Sequence, residues 1–116
     1  MLASQGARYL NLALTREDKL IAFAITQVVL DEATLFNLAV DPDFQRQGLG
    51  EQLLTGLIAH LVERGVQMLW LEVRASNHAA ISLYEKLCFN EVSRRRDYYP
   101  APGGKKEDAI VMALML

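Results

Sequence analysis

A mixed α/β sheet with helices packed on it is the fold class that this sequence predicts, from three observations. The first forty residues hold three β-rich segments separated by short polar turns. Leucines then recur every fourth position, at Leu49, Leu53, Leu57 and Leu61, the period of one helix face. Next comes Gln67 to Arg74, alternating with Leu69, Leu71 and Val73 on one side and Met68, Trp70, Glu72 and Arg74 on the other. An antiparallel meander therefore leads into a strand–helix–strand unit, which implies a parallel crossover between the third and fourth strands.

In chain order, Tyr9 to Leu14 alternates weakly and reads as a strand, followed by the polar turn Thr15 to Lys19. Leu20 to Val29 is rich in β-branched and aromatic residues and reads as its hairpin partner. Asp31-Glu32 turns the chain again, and Thr34 to Val40 forms the third strand. The leucine helix ends at Gly65, a suitable left-handed cap. Asn77 is a good N-cap for a second helix through about Leu87, and Phe89 to Arg95 and Asp108 to Leu114 read as the last strands. Tyr98 to Gly104, with two prolines and two glycines, reads as an irregular loop. No repeat or linker interrupts the chain, so one domain over 1–116 is expected.

The junction between the third strand and the first helix is the most informative stretch. Asp41-Pro42 stops the strand, because proline has no N–H to give a ladder. Gly48 and Gly50 allow a close approach to the backbone, and the helix behind them aims unpaired N–H groups and its positive dipole end at the loop. That combination suits a phosphate or pyrophosphate. A phosphate loop of the Gly-Lys-Ser/Thr kind does not fit, since Glu51-Gln52 follows Gly50. A dinucleotide fingerprint does not fit either. Leu53 stands where its third glycine belongs, and residues 41–48 separate the strand from the first glycine. Glu72 lies about 20 residues on, where that fingerprint would place a ribose-binding acid, and is a decoy.

Composition narrows the classes further. About half the residues are apolar and the formal net charge is −2, which fits a globular chain and argues against binding nucleic acid by phosphate neutralisation. Arg94-Arg95-Arg96 and Lys105-Lys106 make the last quarter locally basic, either as a solvated face or for docking an acidic or phosphate-bearing partner. The single cysteine, Cys88, excludes an internal disulfide and fits a reducing compartment. The apolar run from Ala109 to Leu116 is far short of the ~20 residues a membrane helix needs. No signal peptide follows Met1, so a soluble, cytoplasmic protein without a membrane partner is expected.

Glu72 sits inside Leu69-Trp70-Leu71-Glu72-Val73. A carboxylate among apolar neighbours costs free energy unless protonated, paired or hydrated, and desolvation would favour its taking a proton at neutral pH. The alternative is a strand-end glutamate paired with Arg74 or facing solvent. Tyr84 is either a packed helical tyrosine or a phenol that protonates a departing thiolate. Asn77 is a cap whose amide could also hold a ligand. His60 and His78 lack metal-ligand spacing, and no metal site is expected. Cys88 has no nearby histidine to make it a nucleophile.

The loop Gln45-Arg46-Gln47-Gly48-Leu49-Gly50 resembles the (Gln/Arg)-x-x-Gly-x-(Gly/Ala) coenzyme A loop of the GNAT superfamily of N-acetyltransferases. Trp70 to Asn77, Ala80 to Phe89, Arg95 to Pro100 and Glu107 to Leu114 are similar to the ribosomal-protein alanine N-acetyltransferase branch (RimI type), and the likeness covers nearly the whole chain. Cys88 replaces a glycine common before the phenylalanine. The resemblance implies a GNAT-like mixed sheet whose parallel crossover falls at the cofactor loop. It implies that the backbone of Leu38, Ala39 and Val40 holds the acetyl-pantetheine arm, and that Arg46, Gln47, Gly48, Leu49, Gly50 and Glu51 cradle the pyrophosphate. Asn77 would touch the cofactor further along, with Glu72 as general base and Tyr84 as general acid. The co-substrate would be acetyl-CoA and the acceptor the N-terminal alanine of a small-subunit ribosomal protein.

Members of that branch usually begin with a further strand and two helices, which form one wall of the acceptor groove. Met1 here stands almost where the second strand should start. The expectation is therefore an N-terminally shortened domain, less stable, prone to self-association through its first two strands, and better supported as a cofactor binder than in its acceptor specificity. A non-catalytic coenzyme A-binding or interaction domain of the same fold is the competing reading.

Overall fold

The computed structural model describes residues 7–116. Among the described residues it is a mixed α/β fold of two α-helices and six strands, β1 (Ala7–Arg16), β2 (Lys19–Val29), β3 (Glu32–Val40), β4 (Met68–Arg74), β5 (Asn90–Pro100) and β6 (Lys106–Met115), in the sheet order β1-β2-β3-β4-β6-β5. The chain divides into two compact units, one running up to Leu69 and including Leu116, the other Trp70–Met115.

In the first unit β1 (Ala7–Arg16), β2 (Lys19–Val29) and β3 (Glu32–Val40) form the expected antiparallel meander. The strands run longer than their apolar alternation suggests, because each turn shrinks to two residues. Glu17 and Asp18, with φ of 52° and 64°, close the first hairpin in the left-handed backbone that matches strand twist. Leu30, φ 56°, serves the second. One face of the meander carries Ala22, Ala24, Thr26, Val28, Ala33 and Leu35, all buried.

Helix α1 (Leu49–Glu63) begins and ends where the leucine period places it. Leu53, Leu54, Leu57 and Leu61 are buried, each contributing about 1.5–3 kcal/mol of burial. At its end Val66 N–H reaches the Leu61 carbonyl and Gly65 N–H that of Val62, both at 3.0 Å, with Gly65 at φ 79°. That is the Schellman arrangement, and the buried pair Val66 and Leu61 supplies its apolar contact.

β4 (Met68–Arg74), whose residues from Trp70 on belong to the second unit, is followed there by α2 (His78–Lys86), then by the hairpin β5 (Asn90–Pro100) and β6 (Lys106–Met115). Leu71 and Val73 are buried, as are Ala109, Ile110, Met112 and Ala113 of β6. The irregular loop expected over Tyr98 to Gly104 is corrected here. β5 continues through Pro100, and only Pro102–Gly104 forms a separate 3-10 turn. The register steps from Arg95↔Ala109 to Tyr99↔Glu107, so residues 96–98 bulge opposite Asp108. Asp108 Oδ1 accepts from Asp97 N–H at 3.1 Å, and Asp97 takes φ 52°. Among the described residues no helix is long and apolar enough to cross a membrane.

Candidate functional site

Of the cofactor residues read from the sequence, all but Asn77 lie in the first unit. Leu38, Ala39 and Val40 end β3, just past a bulge. Ile25 pairs with Asn37 and Thr26 with Leu35, which leaves Phe36 without a partner and bends the strand as it approaches the loop. A cavity of about 300 Å³ opens there, lined by residues 20–23 of β2 and 39–42. Asp41 N–H is fixed on the Ile21 carbonyl at 2.7 Å, and the Asp41 carboxylate accepts from Asp43 N–H at 2.9 Å, winding residues 42–44 into a 3-10 turn. Gln45 Nε2 donates back to the Val40 carbonyl at 3.2 Å.

The chain then passes through Arg46 at φ 65°, exposed Gln47, and Gly48 at φ 76°. Gly48 is the N-cap of α1 and gives the helix no side-chain cap. Leu49, buried, anchors the first turn, with Gly50 and Glu51 following it. A Cβ built on Gly48 would meet no atom within 4 Å beyond its chain neighbours and its own helix, so the loop opens outward at that point. A helix start without a side-chain cap, reached through left-handed backbone and an open glycine, aims N–H groups at a space where an anion can approach. The residues present thus fit a pyrophosphate-bearing group.

Sequence reasoning missed the surroundings of this loop. Lys19 Nζ lies 3.6 Å from the Asp41 carboxylate, and Arg16 and Lys19 stand 5.4 and 5.6 Å from the Phe44 ring centre. These residues come together through the β1–β2 turn, which strand alternation alone does not position.

The second unit holds Glu72, Asn77 and Tyr84. Asn77 caps α2, its Oδ1 accepting from Ala80 N–H at 3.1 Å. Tyr84 is buried, and that burial pushes its phenol above the ordinary value of 10.0, so it carries its proton. Glu72 corrects an expectation. It is not desolvated: 31% of its side chain is exposed, and Oε1 lies 3.3 Å from Arg95 Nε. Arg74, the partner considered for it, instead pairs with Glu107 at 3.4 Å and donates to the Pro100 carbonyl at 2.9 Å.

Around Glu72 the fold brings together residues whose grouping the sequence did not reveal. The Arg74 guanidinium lies 4.3 Å from the Tyr99 ring centre, and Arg95 lies 5.3 Å from that of Tyr98. Tyr98 and Tyr99 meet edge to face at 5.1 Å. Burial raises the Tyr99 phenol, with the nearby Glu72 charge adding to it. Glu107 Oε1 accepts from Ser76 N–H at 3.1 Å, tying β6 to the start of α2. Their residue types in the tail were the available signal, but only the register of β5 on β6 reveals the grouping.

Comparison with known proteins extends the reading. The sequence model of the Acetyltransferase (GNAT) family matches residues 2–89. The [ribosomal protein bS18]-alanine N-acetyltransferase of Escherichia coli strain K12 is 68% identical over 112 residues, covering 97% of this chain and 75% of that protein. The crystal structure of the E. coli ribosomal-protein-S18-alanine N-acetyltransferase superposes with a TM-score of 0.90 at 67% identity, over 97% of this chain and 72% of that one. A GNAT family acetyltransferase from Elizabethkingia anophelis, solved with acetyl-CoA bound, shares the fold with a TM-score of 0.81 at 23% identity, over 93% of this chain and 76% of that one. With a family match over most of its length and a relative at this identity, the chain belongs to the GNAT family of acetyltransferases.

Proposed function

We propose that this chain is an acetyl-CoA-dependent N-acetyltransferase that acetylates the α-amino group of an N-terminal alanine on a small-subunit ribosomal protein, in the cytoplasm. The observation that carries the reading is the 68% identity to a bS18-alanine N-acetyltransferase over 97% of the chain. Loop and strand geometry support it independently.

Arg46, Gln47, Gly48, Leu49, Gly50 and Glu51 would hold the pyrophosphate of the co-substrate, with the β3 backbone at Leu38, Ala39 and Val40 along its arm and Asn77 touching it further on. Bound acetyl-CoA supplies an acetyl group activated as a thioester. An α-amine has a pKa near ~8 and is mostly protonated at neutral pH, so it must lose a proton before it can attack a carbonyl carbon. Glu72 takes that proton as general base. Tyr84 keeps its own proton at neutral pH and hands it to the departing sulfur. Transfer is direct, within a ternary complex. We also infer that the first two strands promote self-association, since β1 lies at an edge of the described sheet and its Tyr9 is 64% exposed.

The test is thiol release from acetyl-CoA with and without an alanine-ended peptide. Release that depends on the peptide, with acetyl found on its α-amine, is the expected result. Coenzyme A binding without release would make the chain a non-catalytic binding domain.

A further inference from the structure

We propose that Arg95 is a positioning residue for the acetyl transfer: it reaches across β6 and fixes the Glu72 carboxylate in its working orientation. The inference rests on the reading of Glu72 as general base. β6 lies between β4 and β5 in the sheet, so Arg95 and Glu72 stand on strands that do not touch. Arg95 pairs in register with Ala109, and directly opposed residues share a face. Ala109 is fully buried and presents only a methyl, leaving a lane that a long arginine side chain can cross. The crossing ends at Glu72 Oε1, 3.3 Å from Arg95 Nε.

The guanidinium is held from a second side by the Tyr98 ring, 5.3 Å away. Tyr98 belongs to the 96–98 bulge that Asp108 anchors through Asp97 N–H. A planar cation set between a ring and a carboxylate loses little freedom on pairing, and arginine suits that place better than lysine. Two other arginines of these strands, Arg74 and Arg94, have partners of their own. Arg74 is taken by Glu107, and Arg94 by Glu91 and Asp108. Arg95 is thus the cation committed to Glu72. A glutamate with several free torsions gains from such a tether, because a base must sit within hydrogen-bond reach of the proton it removes.

The experiment compares Arg95→Ala and Arg95→Lys, each in the native and the Glu72→Gln background, by steady-state kinetics with an alanine-ended peptide. Arg95→Ala is expected to lower kcat roughly tenfold, as small misplacements of a reacting group do. Its KM for acetyl-CoA should stay within about twofold, since the loop is untouched. Arg95→Lys should recover part of the loss, and neither change should lower turnover further once Glu72 is glutamine. An Arg95→Ala enzyme with native kcat overturns the proposal, as does a loss that persists in full in the Glu72→Gln background. Native turnover in Glu72→Gln alone would instead remove the general-base reading beneath it.

Discussion

Phe89 donates its backbone N–H to the Tyr84 carbonyl at 3.0 Å, and their rings lie 5.6 Å apart with planes tilted by 57°. Both contacts belong to the C-terminal cap of α2. Cys88 N–H reaches the Glu85 carbonyl at 3.0 Å, completing a second Schellman arrangement in which the aromatic pair is the apolar contact. The cap holds Tyr84 by its main chain and its ring together.

Cys88 occupies the left-handed position of that cap, at φ 75°, where a Cβ costs roughly 1–2 kcal/mol. Cys88→Gly removes the strain and gives back part of the gain as chain entropy, so a net stabilisation of about 0.5–1 kcal/mol is expected. The urea midpoint should rise with an unchanged slope. A lower midpoint would mean that the exposed thiol contributes more than its backbone costs.

Glu72→Gln keeps the shape of the side chain and removes the base. Turnover should drop about 10²-fold or more while acetyl-CoA affinity survives. Tyr84→Phe should also slow turnover while keeping the tilted ring contact with Phe89. Full activity in both variants would rule out the acid–base assignment.

Gly48→Val should weaken acetyl-CoA binding more than tenfold, about 1.4 kcal/mol, as read by titration calorimetry. The protein itself leaves the Cβ position open, so the loss comes from backbone strain at φ 76° and from crowding the ligand. Native affinity in a folded variant would exclude this loop as the pyrophosphate site.

Glu107 is held below its ordinary value of 4.5, first by the Ser76 hydroxyl, then by the Ser76 N–H and by Arg74. A carboxylate depressed in the folded state stabilises it above the unfolded value and loses that contribution as pH falls through the folded one. The stability difference between the native chain and Glu107→Gln should therefore shrink as pH drops below 4.5. Urea unfolding from neutral to acidic pH measures it, and a difference that stays constant would count against the linkage.

Self-association through β1 and β2 should appear in sedimentation velocity as a coefficient that rises with protein concentration. Replacing exposed Tyr9 with lysine should reduce it, because a charge on an edge strand discourages pairing. A native chain that sediments as a monomer at every concentration would refute the idea.

Local chemistry was legible in the sequence and reach was not. The leucine period located α1, Gly65 its end, and Asn77 the start of α2, because each signal lies within a few residues of what it controls. The turn from β3 into the glycine loop was readable for the same reason. The continuation of β5 to Pro100 was not, because it depends on Asp108 gripping a bulge from the neighbouring strand. Alternation put Glu72 and Arg74 on one face, yet their partners, Arg95 and Glu107, are set by strand order and register.

Gly48 offers α1 no side-chain cap, and with the loop holding acetyl-CoA as proposed, the fold would be coupled to metabolism. An anionic ligand held there, as proposed, would lie against the helix start. A ligand bound only by the folded form adds stability as the logarithm of its concentration, about 2.7 kcal/mol at a hundredfold excess over Kd. The folded fraction, and with it the protein's resistance to proteolysis in a cell, would then rise and fall with the supply of the acetyl donor.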